Sequence, residues 1–334
     1  MTYFLINLHA DSNYEISYLK NKVLFLINYK EIKYEEINSI TFDNNLIVIY
    51  SGGVEQNLNK LVNISKISKI YLLIHLSDET LSHNISVYKL AHKIIRNYYN
   101  PRLKNKNILS IPIGYKNTLE RQQEVVIDMM SKAYVWSFIG SMKNERYQMI
   151  KKLNKIKLNF QHITDSFWSP DHLGSTEYRN VLLDSIFVPC PSGYYNFETF
   201  RILEALENYS IPIFKRRLFF DHLNSIYNEN IFLTSYSWRG VRKKMLHYLD
   251  NPNELEEYSK NLFTWYENYL NNLSIKVKSF LELDIDEDKN RNIEKKISLE
   301  IFLFNLSNIT FNLSNLNRRY LHIIKKIIKK FTTK

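Results

Sequence analysis

The chain has 334 residues, enough to bury one large core or two ordinary ones, and 45% of them are hydrophobic, which excludes an intrinsically disordered chain. A formal net charge of +11 favours polyanionic partners: nucleic acid, anionic lipid or a negatively charged substrate. The single cysteine, Cys190, excludes an internal disulfide and fits a reducing compartment. The N-terminus has neither a basic start nor a small-residue cleavage site, and no run of about 18 apolar residues is present. We therefore expect a cytoplasmic chain without a signal peptide or a spanning helix.

Short apolar runs in the first third of the chain have the length of buried strands. Two of them end at strand-to-turn signals, Ser51-Gly52-Gly53 and Gly114-Tyr115. Residues 83–99 are predicted as a helix. The predicted strands are 3–6, 23–27, 46–50, 70–76 and 107–113. This alternation indicates a parallel sheet.

Residues 116–132 are mostly polar and are predicted to connect to a second unit of the same kind. Its predicted strands are 134–139, 158–160, 185–188, 211–214 and 229–234. Its predicted helices are 144–153, 177–184, 196–209, 241–249 and 253–281, the last beginning at the start signal Asn251-Pro252-Asn253. The sequence therefore predicts two α/β units in one chain.

The densest stretch, residues 188–214, reads as strand, loop, helix, turn and strand. Asn196 is the predicted N-cap of its helix. One face of this helix is apolar, with Phe200, Ile202, Leu203, Leu206 and Tyr209, and the other carries Glu198, Arg201, Glu204 and Asn208. The polar face is either solvated surface paired at i,i+3 spacing or a ligand site. The first reading is the usual one for a charged helix face. The second stays open because the helix follows a glycine-containing loop at the carboxyl end of a strand.

The motif Pro191-x-Gly193-x4-Glu198-Thr-Phe-Arg201-x2-Glu204-Ala-Leu-x4-Ile-Pro-Ile213 resembles the donor-binding motif of exostosin-like glycosyltransferases, including the xylosyltransferase that acts on ribitol phosphate glycans. Further short strings occur in the order that such enzymes show, so the resemblance covers roughly residues 70–275. These strings are 75–79, 96–99, 112–115 and 137–141.

The resemblance implies an α/β fold of the GT-B type, with two Rossmann-like domains that face a central cleft. We expect an acceptor-side domain over 1–125, a nucleotide-sugar-binding domain over 126–270, and a helical segment with a basic amphipathic tail over 271–334. Carried over by position, Arg201 would meet the nucleotide diphosphate and Glu204 would hold the ribose hydroxyls. The expected donor site is Gly140, Ser141, Ser192, Gly193, Tyr194, Glu198, Thr199, Arg201 and Glu204.

Glu198 departs from the family pattern, in which a small hydroxyl residue is more usual at this position. A carboxylate there would repel phosphate unless Arg201 pairs with it. The alternative is that Glu198 binds the donor sugar. This departure leaves the identity of the donor open, and a CMP-activated sugar stays among the alternatives.

Candidates for the catalytic base follow the predicted strand 70–76. Asp78 and Glu79 can take a proton from the acceptor hydroxyl in an inverting transfer. The alternative is that Ser77 or Asp78 caps a helix. Arg96 is either a cation that favours a helix C-terminus or a contact to the acceptor or a phosphate. Arg146 either adds positive charge at the site or is solvated. His75 is expected in the core.

No metal site is expected, because the chain has no His-x-x-x-His and no cysteine cluster. Asp284-Ile-Asp286 has the Asp-x-Asp spacing but is read as a solvated loop outside the matched region. No Walker loop and no Gly-x-Gly-x-x-Gly is present, which disfavours ATP and nicotinamide cofactors. We therefore expect no cofactor besides the nucleotide-sugar substrate.

The basic segment 317–331 has an apolar helical face formed by Leu321, Ile324, Ile327, Ile328 and Phe331, with lysines around it. It is predicted to rest on an anionic membrane surface, to dock on the protein or to extend from it.

The resulting hypothesis is a glycosyltransferase that moves a sugar from a nucleotide donor, UDP-linked first, to a hydroxyl of a glycan or polyol phosphate. The resemblance implies an inverting, metal-independent reaction in the synthesis of cell-surface polysaccharide such as capsule or lipopolysaccharide. A GDP- or CMP-activated donor is one alternative. A non-catalytic basic protein that binds nucleic acid is the other, but the cations are spread along the chain and no nucleic-acid motif is present.

Overall fold

The computed structural model describes residues 2–8, 14–52, 54–122, 128–166, 169–193, 196–227, 231–283 and 299–313. Within them the chain forms two parallel β-sheets. The first sheet has the order β2-β1-β3-β4-β5-β6 and the second the order β11-β10-β9-β7-β8. Each strand runs parallel to its neighbours, as expected where helices and loops connect one edge of a sheet to the other.

The predicted apolar runs 3–6, 46–50 and 70–76 form strands of the first sheet. The strand over 29–32, Tyr-Lys-Glu-Ile, was not predicted, and its two central residues are exposed. Its strands are β1 Tyr3–Asn7, β2 Tyr29–Ile32, β3 Leu46–Ser51, β4 Ile70–Leu76, β5 Ala91–Arg96 and β6 Ile108–Ser110. A short helix α1, Ile16–Tyr18, continues as a π-helix over Leu19–Val23, and α2 covers Glu55–Ile67. Short 3-10 helices cover Tyr34–Ser39, Ile85–Leu90 and Pro101–Leu103.

Two predictions in this half are wrong. Residues 83–99 are a 3-10 helix followed by β5, because this segment fills the place in the sheet between β4 and β6. Residues 23–27 end the π-helix and form a turn before β2, in which the Phe25 side chain is 70% exposed.

The second sheet carries most of the remaining helices. Its strands are β7 Tyr134–Ser141, β8 Asn159–Thr164, β9 Ser185–Pro189, β10 Ile211–Lys215 and β11 Leu233–Ser235. The helices are α3 Arg146–Leu153, α4 Ser175–Leu183, α5 Arg201–Glu207, α6 His222–Tyr227 and α7 Trp238–Asp250. A 3-10 helix over Met129–Ser131 precedes β7. The predicted elements are found with the expected types, but β8 is longer than the predicted strand 158–160, α6 was not predicted, and α5 begins later than expected.

The N-cap of helix α5 lies four residues later than predicted. Its N-cap is Phe200, without a side-chain cap, and Asn196 instead offers its carbonyl oxygen to Arg217 Nη2 at 3.1 Å. The predicted polar face is not solvated either, because Glu204 and Asn208 are 1% and 2% exposed. The interpretation of this face as ordinary surface is therefore wrong.

Two long helices cross back over the first sheet. Helix α8, Pro252–Glu282, leaves the second sheet and ends beside β5, where Lys93 Nζ donates to the carbonyl of Leu283 at 2.7 Å. Helix α9, Leu299–Leu313, contacts both halves: Tyr99 OH donates to Glu300 Oε1 at 2.6 Å, and Arg217 Nη1 donates to Asn308 Oδ1 at 2.6 Å. Since α8 is continuous, the domain boundary predicted at residue 270 falls inside a helix.

The core follows the alternation of side chains along the strands. Ile47 and Ile49 of β3 belong to an apolar cluster that continues into the second half of the chain, whereas Val48 and Tyr50 belong to a cluster under α2. None of the helices in the described ranges has both the length and the apolar character that crossing a membrane requires.

Candidate active site

A cavity of about 520 Å³ lies where the carboxyl edges of the two sheets meet. The first sheet contributes residues after β1, β4, β5 and β6, and the second contributes the ends of β7 and β8 and the loop after β9. Ligands of open parallel sheets bind at this edge, because the connecting loops leave a crevice there. The cavity therefore lies at the carboxyl ends of the strands, where the sequence predicts the site.

Two arginines and a lysine line the cavity and lie close enough to interact electrostatically. Arg201 donates through Nε and Nη2 to the carbonyl oxygen of Ile139, at 3.1 and 2.6 Å, and lies 5.0 Å from the centre of the Phe138 ring. Arg146 Nη1 donates to the carbonyl of Ser141 at 2.7 Å. Burial, followed by the positive charge of Arg201, lowers the pKa of Arg146 to about 9. Two cations held this close together favour an anion between them.

Lys116 adds to this positive charge and was not predicted. It lines the cavity, and burial lowers the pKa of its ammonium group, with the Glu204 carboxylate opposing that effect and Arg201 adding to it. The signal was available in the sequence, because Lys116 follows the turn Gly114-Tyr115 at the end of β6.

Gly140 explains how Arg201 reaches its position. The glycine has φ +145°, and a Cβ there would collide with the Arg201 guanidinium. Only glycine meets both conditions without strain. The predicted residues Gly140 and Ser141 therefore end β7 beside Arg201, and the missing side chain of Gly140 leaves the space that the guanidinium occupies.

Glu204 is held by one oxygen and open at the other. Tyr178 OH donates to Oε2 at 2.6 Å, whereas Oε1 is buried without a hydrogen-bond partner and the residue lines the cavity. Thr199 Oγ1 is buried beside the same cavity and also lacks a partner. Buried polar atoms without partners are costly, so each of them marks a position where a ligand can bind.

Glu198 is the third such group. Its Oε1 accepts from Tyr227 OH at 2.8 Å and from the backbone N–H of Ile113 at 3.2 Å, and its Oε2 has no partner. Burial raises the pKa of Glu198 to about 8. Below that pH the side chain is an uncharged acid, which removes the expected repulsion of phosphate. Arg201 is not needed to neutralise it, because the arginine is bound to Ile139.

The loop after β9 joins the two sides of the cavity. Ser192 and Gly193 both line it, and a Cβ at Gly193 would lie 2.9 Å from Glu79 Oε1. The Ser192 backbone N–H donates to Glu145 Oε1 at 2.9 Å, and its hydroxyl accepts from Arg217 Nε at 3.3 Å. The loop is therefore fixed by buried charges of the second half and touches the first half at Glu79.

Asp78 and Arg96 do not line the cavity, and the expectation that they face it is wrong. Arg96 Nη2 donates to Asp78 Oδ2 at 3.0 Å, and the two residues are 0% and 1% exposed. Asp78 Oδ1 also accepts the backbone N–H groups of Ser82 and His83, at 2.9 and 3.1 Å. Both oxygens of this carboxylate accept hydrogen bonds from other parts of the protein. The local sequence does not show this, because Arg96 belongs to the next strand.

His75 is a buried core histidine, as predicted. Its Nδ1 lies 2.7 Å from Tyr88 OH and its Nε2 lies 3.0 Å from His83 Nδ1. His75, Asp78 and His83 lie close enough together to form a candidate metal-binding group in the described part of the chain. However, the two histidines bond to each other and the Asp78 carboxylate is paired with Arg96, so the donor set is already satisfied from within the protein.

Glu15 is a further cavity residue that the sequence did not indicate. It follows β1, is 3% exposed, and accepts hydrogen bonds from Asn97 Nδ2 at 2.9 Å and Ser77 Oγ at 3.2 Å. Burial raises the pKa of Glu15 to about 7. No local pattern marks it, because its partners come from β4 and β5. Of the other predictions, Tyr194, Asp284–Asp286 and the tail 317–331 lie outside the described residues.

Neither a family model nor the sequence of a curated protein matches the chain. Solved structures do share its fold. An α1,3-fucosyltransferase has a TM-score of 0.52 at 14% identity, over 86% of this chain and 92% of that chain. Anabaena HepE in complex with UDP-glucose has a TM-score of 0.52 at 8% identity, over 84% and 99% of the two chains. HepE with UDP gives 0.50 at 7% identity, over 84% and 100%.

These likenesses confirm the predicted fold class. The chain has the α/β GT-B architecture of glycosyltransferases, with two parallel sheets and a helix at the C-terminal end. Identities this low establish the fold and leave the donor, the acceptor and the family within the fold to be argued from the site.

Proposed function

We propose that this chain is a glycosyltransferase that uses a nucleotide-sugar donor. The observation that carries the proposal is the grouping of buried, unpartnered oxygens of Glu198, Thr199 and Glu204 around one cavity that also holds Arg146 and Arg201. A ligand that combines hydroxyl groups with a diphosphate complements both sets. A nucleoside diphosphate sugar is such a ligand.

On the donor side, the cations stabilise the leaving diphosphate. Arg201, Arg146 and Lys116 line one wall and would take the charge that develops on the phosphate as the bond to the sugar breaks. The free Oε1 of Glu204 would accept from the ribose hydroxyls. Because these protein cations can supply the neutralising charge, the proposal includes no metal and no other cofactor.

On the sugar side, uncharged Glu198 lies in the loop that precedes α5 and would donate through Oε2 to the transferred sugar. The acceptor, a hydroxyl of a glycan or polyol phosphate, would enter from the first sheet, and attack from there inverts the anomeric carbon. The resemblance to exostosin-like enzymes and the UDP-glucose bound to HepE support a UDP-linked donor, with GDP or CMP as the alternatives. The same resemblance supports a role in cell-surface polysaccharide synthesis.

The test is a thermal-shift screen of the protein with UDP, GDP, CMP and their sugars. A nucleotide at 100 times its dissociation constant stabilises by about 2.7 kcal/mol, which is readily measured. We expect Arg201→Ala to abolish the shift while changing the melting temperature of the free protein little. Arg239→Ala is the matched control, because Arg239 is an exposed arginine on α7 that does not line the cavity.

Two results would contradict the proposal. One is the absence of a shift with every nucleotide tested, and the other is an equal shift in the wild type and Arg201→Ala. A positive shift should be followed by release of free nucleotide from the matching nucleotide-sugar, measured by chromatography.

We further propose that the C-terminal region holds the enzyme at an anionic membrane surface. Leu299, Phe302 and Ile309 of α9 are 73%, 50% and 51% exposed, and lie on one side of the helix. The segment that follows, residues 314–334, contains two arginines and five lysines and no acidic residue. Apolar side chains next to such a charge suit a surface of anionic lipid.

A further inference from the structure

We infer that Glu15 is the catalytic base, the group that takes the proton from the acceptor hydroxyl. The inference rests on the proposed glycosyl transfer and assigns the step that Asp78 cannot perform. In that step the acceptor O–H bond breaks and its proton moves to a Glu15 oxygen. The acceptor oxygen bonds to the anomeric carbon, and the bond from that carbon to the donor phosphate breaks, its electron pair leaving with the nucleotide diphosphate.

The position of Glu15 suits this step. The residue follows β1 at the carboxyl edge of the first sheet and lines the cavity. Arg201 and Arg146 line the same cavity from the second sheet. A base on one sheet and a leaving-group site on the other place the sugar between them, as an in-line displacement requires.

The orientation of the carboxyl group is fixed by its neighbours. The backbone N–H of Ser77 can only donate, and it bonds to Asn97 Oδ1 at 3.1 Å. Asn97 must therefore turn Nδ2 towards Glu15 Oε1, which it reaches at 2.9 Å, while Ser77 Oγ lies 3.2 Å from Oε2. A carboxylate oxygen can accept more than one hydrogen bond, so these two bonds orient the group and do not by themselves prevent proton transfer to it.

The other carboxyl groups are less suited. Glu198 is held uncharged by burial, which raises its pKa to about 8, so it carries a proton at neutral pH. Glu204 lies with the cations and bonds to Tyr178. Glu79 lines the cavity but lies against Gly193 in the loop of the second half, and is more exposed than Glu15.

The environment of Glu15 also gives it the proton affinity of a base that works near neutral pH. Burial raises its pKa to about 7, although the bonds from Ser77 and Asn97 act in the opposite direction. Among the residues that the structure describes, Tyr98 beyond β5 and Glu198 of the second half interact with it electrostatically, and Glu79 interacts with Tyr98. Arg146, Arg201, Lys116, Lys143 and His172 also line the cavity.

The experiment compares Glu15→Gln and Glu79→Gln with the wild type, using UDP-, GDP- and CMP-sugars as probes. We expect Glu15→Gln to keep the thermal shift with the nucleotide and to lose nucleotide release by about 100-fold or more. In the wild type, release should rise with pH through about 7, since the base must be ionised, and this rise should be absent from the variant. Glu35→Gln, an exposed glutamate of the same half, should match the wild type.

A chemical rescue separates catalysis from a structural role. Azide attacks the anomeric carbon without losing a proton and so needs no base. Nucleotide release by Glu15→Ala should therefore recover with added azide, and a glycosyl azide should be found by mass spectrometry. Failure of rescue in a variant that still binds nucleotide would overturn the inference, as would full activity of Glu15→Gln together with an inactive Glu79→Gln.

The outcomes for the two proposals can be told apart. If the wild type binds no nucleotide, the proposed function fails and the role of Glu15 with it. If it binds nucleotide but releases none from the sugars tested, infrared titration decides. A carboxylic-acid band that titrates near pH 7 and is missing from Glu15→Gln supports the inference, and titration near the ordinary glutamate value of about 4.3 overturns it.

Discussion

Replacing Glu198 by glutamine should make the protein more stable at alkaline pH and leave it unchanged at acid pH. Glutamine has the same shape and its Oε1 can still accept from Tyr227 OH and from the Ile113 N–H, the two bonds that Glu198 makes. What it cannot do is ionise. The substitution therefore isolates the free energy of a charge at this buried position.

The magnitude follows from the pKa. Burial raises the pKa of Glu198 from 4.5 to about 8, a difference of about 3.5 pH units, and each unit corresponds to about 1.4 kcal/mol. The folded protein holds the proton more tightly than the unfolded chain. The stability from this group is therefore complete below about pH 4.5 and is lost as the pH rises to about 8. The loss at higher pH is about 5 kcal/mol as an upper bound.

The assay is urea unfolding of both proteins at about pH 5 and about pH 9. We expect equal free energies of unfolding at the lower pH, and a variant more stable by several kcal/mol at the higher. Because Glu15 also has a raised pKa, both proteins should lose some stability between these values, and only the difference between them reports on Glu198. A difference below about 1 kcal/mol at the higher pH would refute the buried, uncharged state of Glu198.

Two further predictions concern the packing of Arg201 against Gly140 and the C-terminal region. Gly140→Ala should abolish the nucleotide-dependent thermal shift by displacing Arg201, whereas Gly174→Ala, where a Cβ meets no atom within 4 Å, should keep it. Deleting residues 314–334 should reduce sedimentation with vesicles that contain anionic lipid and leave nucleotide binding intact. Equal sedimentation of the full-length and shortened proteins, or equal binding to neutral vesicles, would count against the membrane surface.

The architecture divides the tasks of the proposed reaction between the sheets. The second half places Arg146 and Arg201 beside the unpartnered oxygens of Glu204 and Thr199, so in the proposed reaction it would bind the donor. The first sheet contributes Glu15 through bonds from the ends of β4 and β5. Helices α8 and α9 contact both halves and so connect these two sets of groups.

Several features of the molecule could be read from the sequence. Apolar runs such as Ile70–Leu76 and Ser185–Pro189 are strands because they are short, β-branched and closed by turn residues. The rule that ligands bind at the carboxyl ends of parallel strands placed Gly140, Ser192 and Gly193 at the cavity. Apolar runs and turn residues are local features of the sequence. They predict the structure correctly where the tertiary contacts favour the same conformation.

Tertiary structure decided the rest, since the remaining features depend on partners far away in the chain. Residues 91–96 have a helical pattern but form β5, because hydrogen bonds to β4 and β6 satisfy their backbone between two strands. The local sequence around Asp78 predicts a catalytic base, but in the folded chain its carboxylate is paired with Arg96, which lies 18 residues later. No local pattern marks Glu15 as a functional residue. Folding brings Asn97, 82 residues away in sequence, into hydrogen-bond contact with it and buries it in low-dielectric surroundings. Proton affinity and charge pairing depend on these three-dimensional neighbours, which a one-dimensional pattern does not contain.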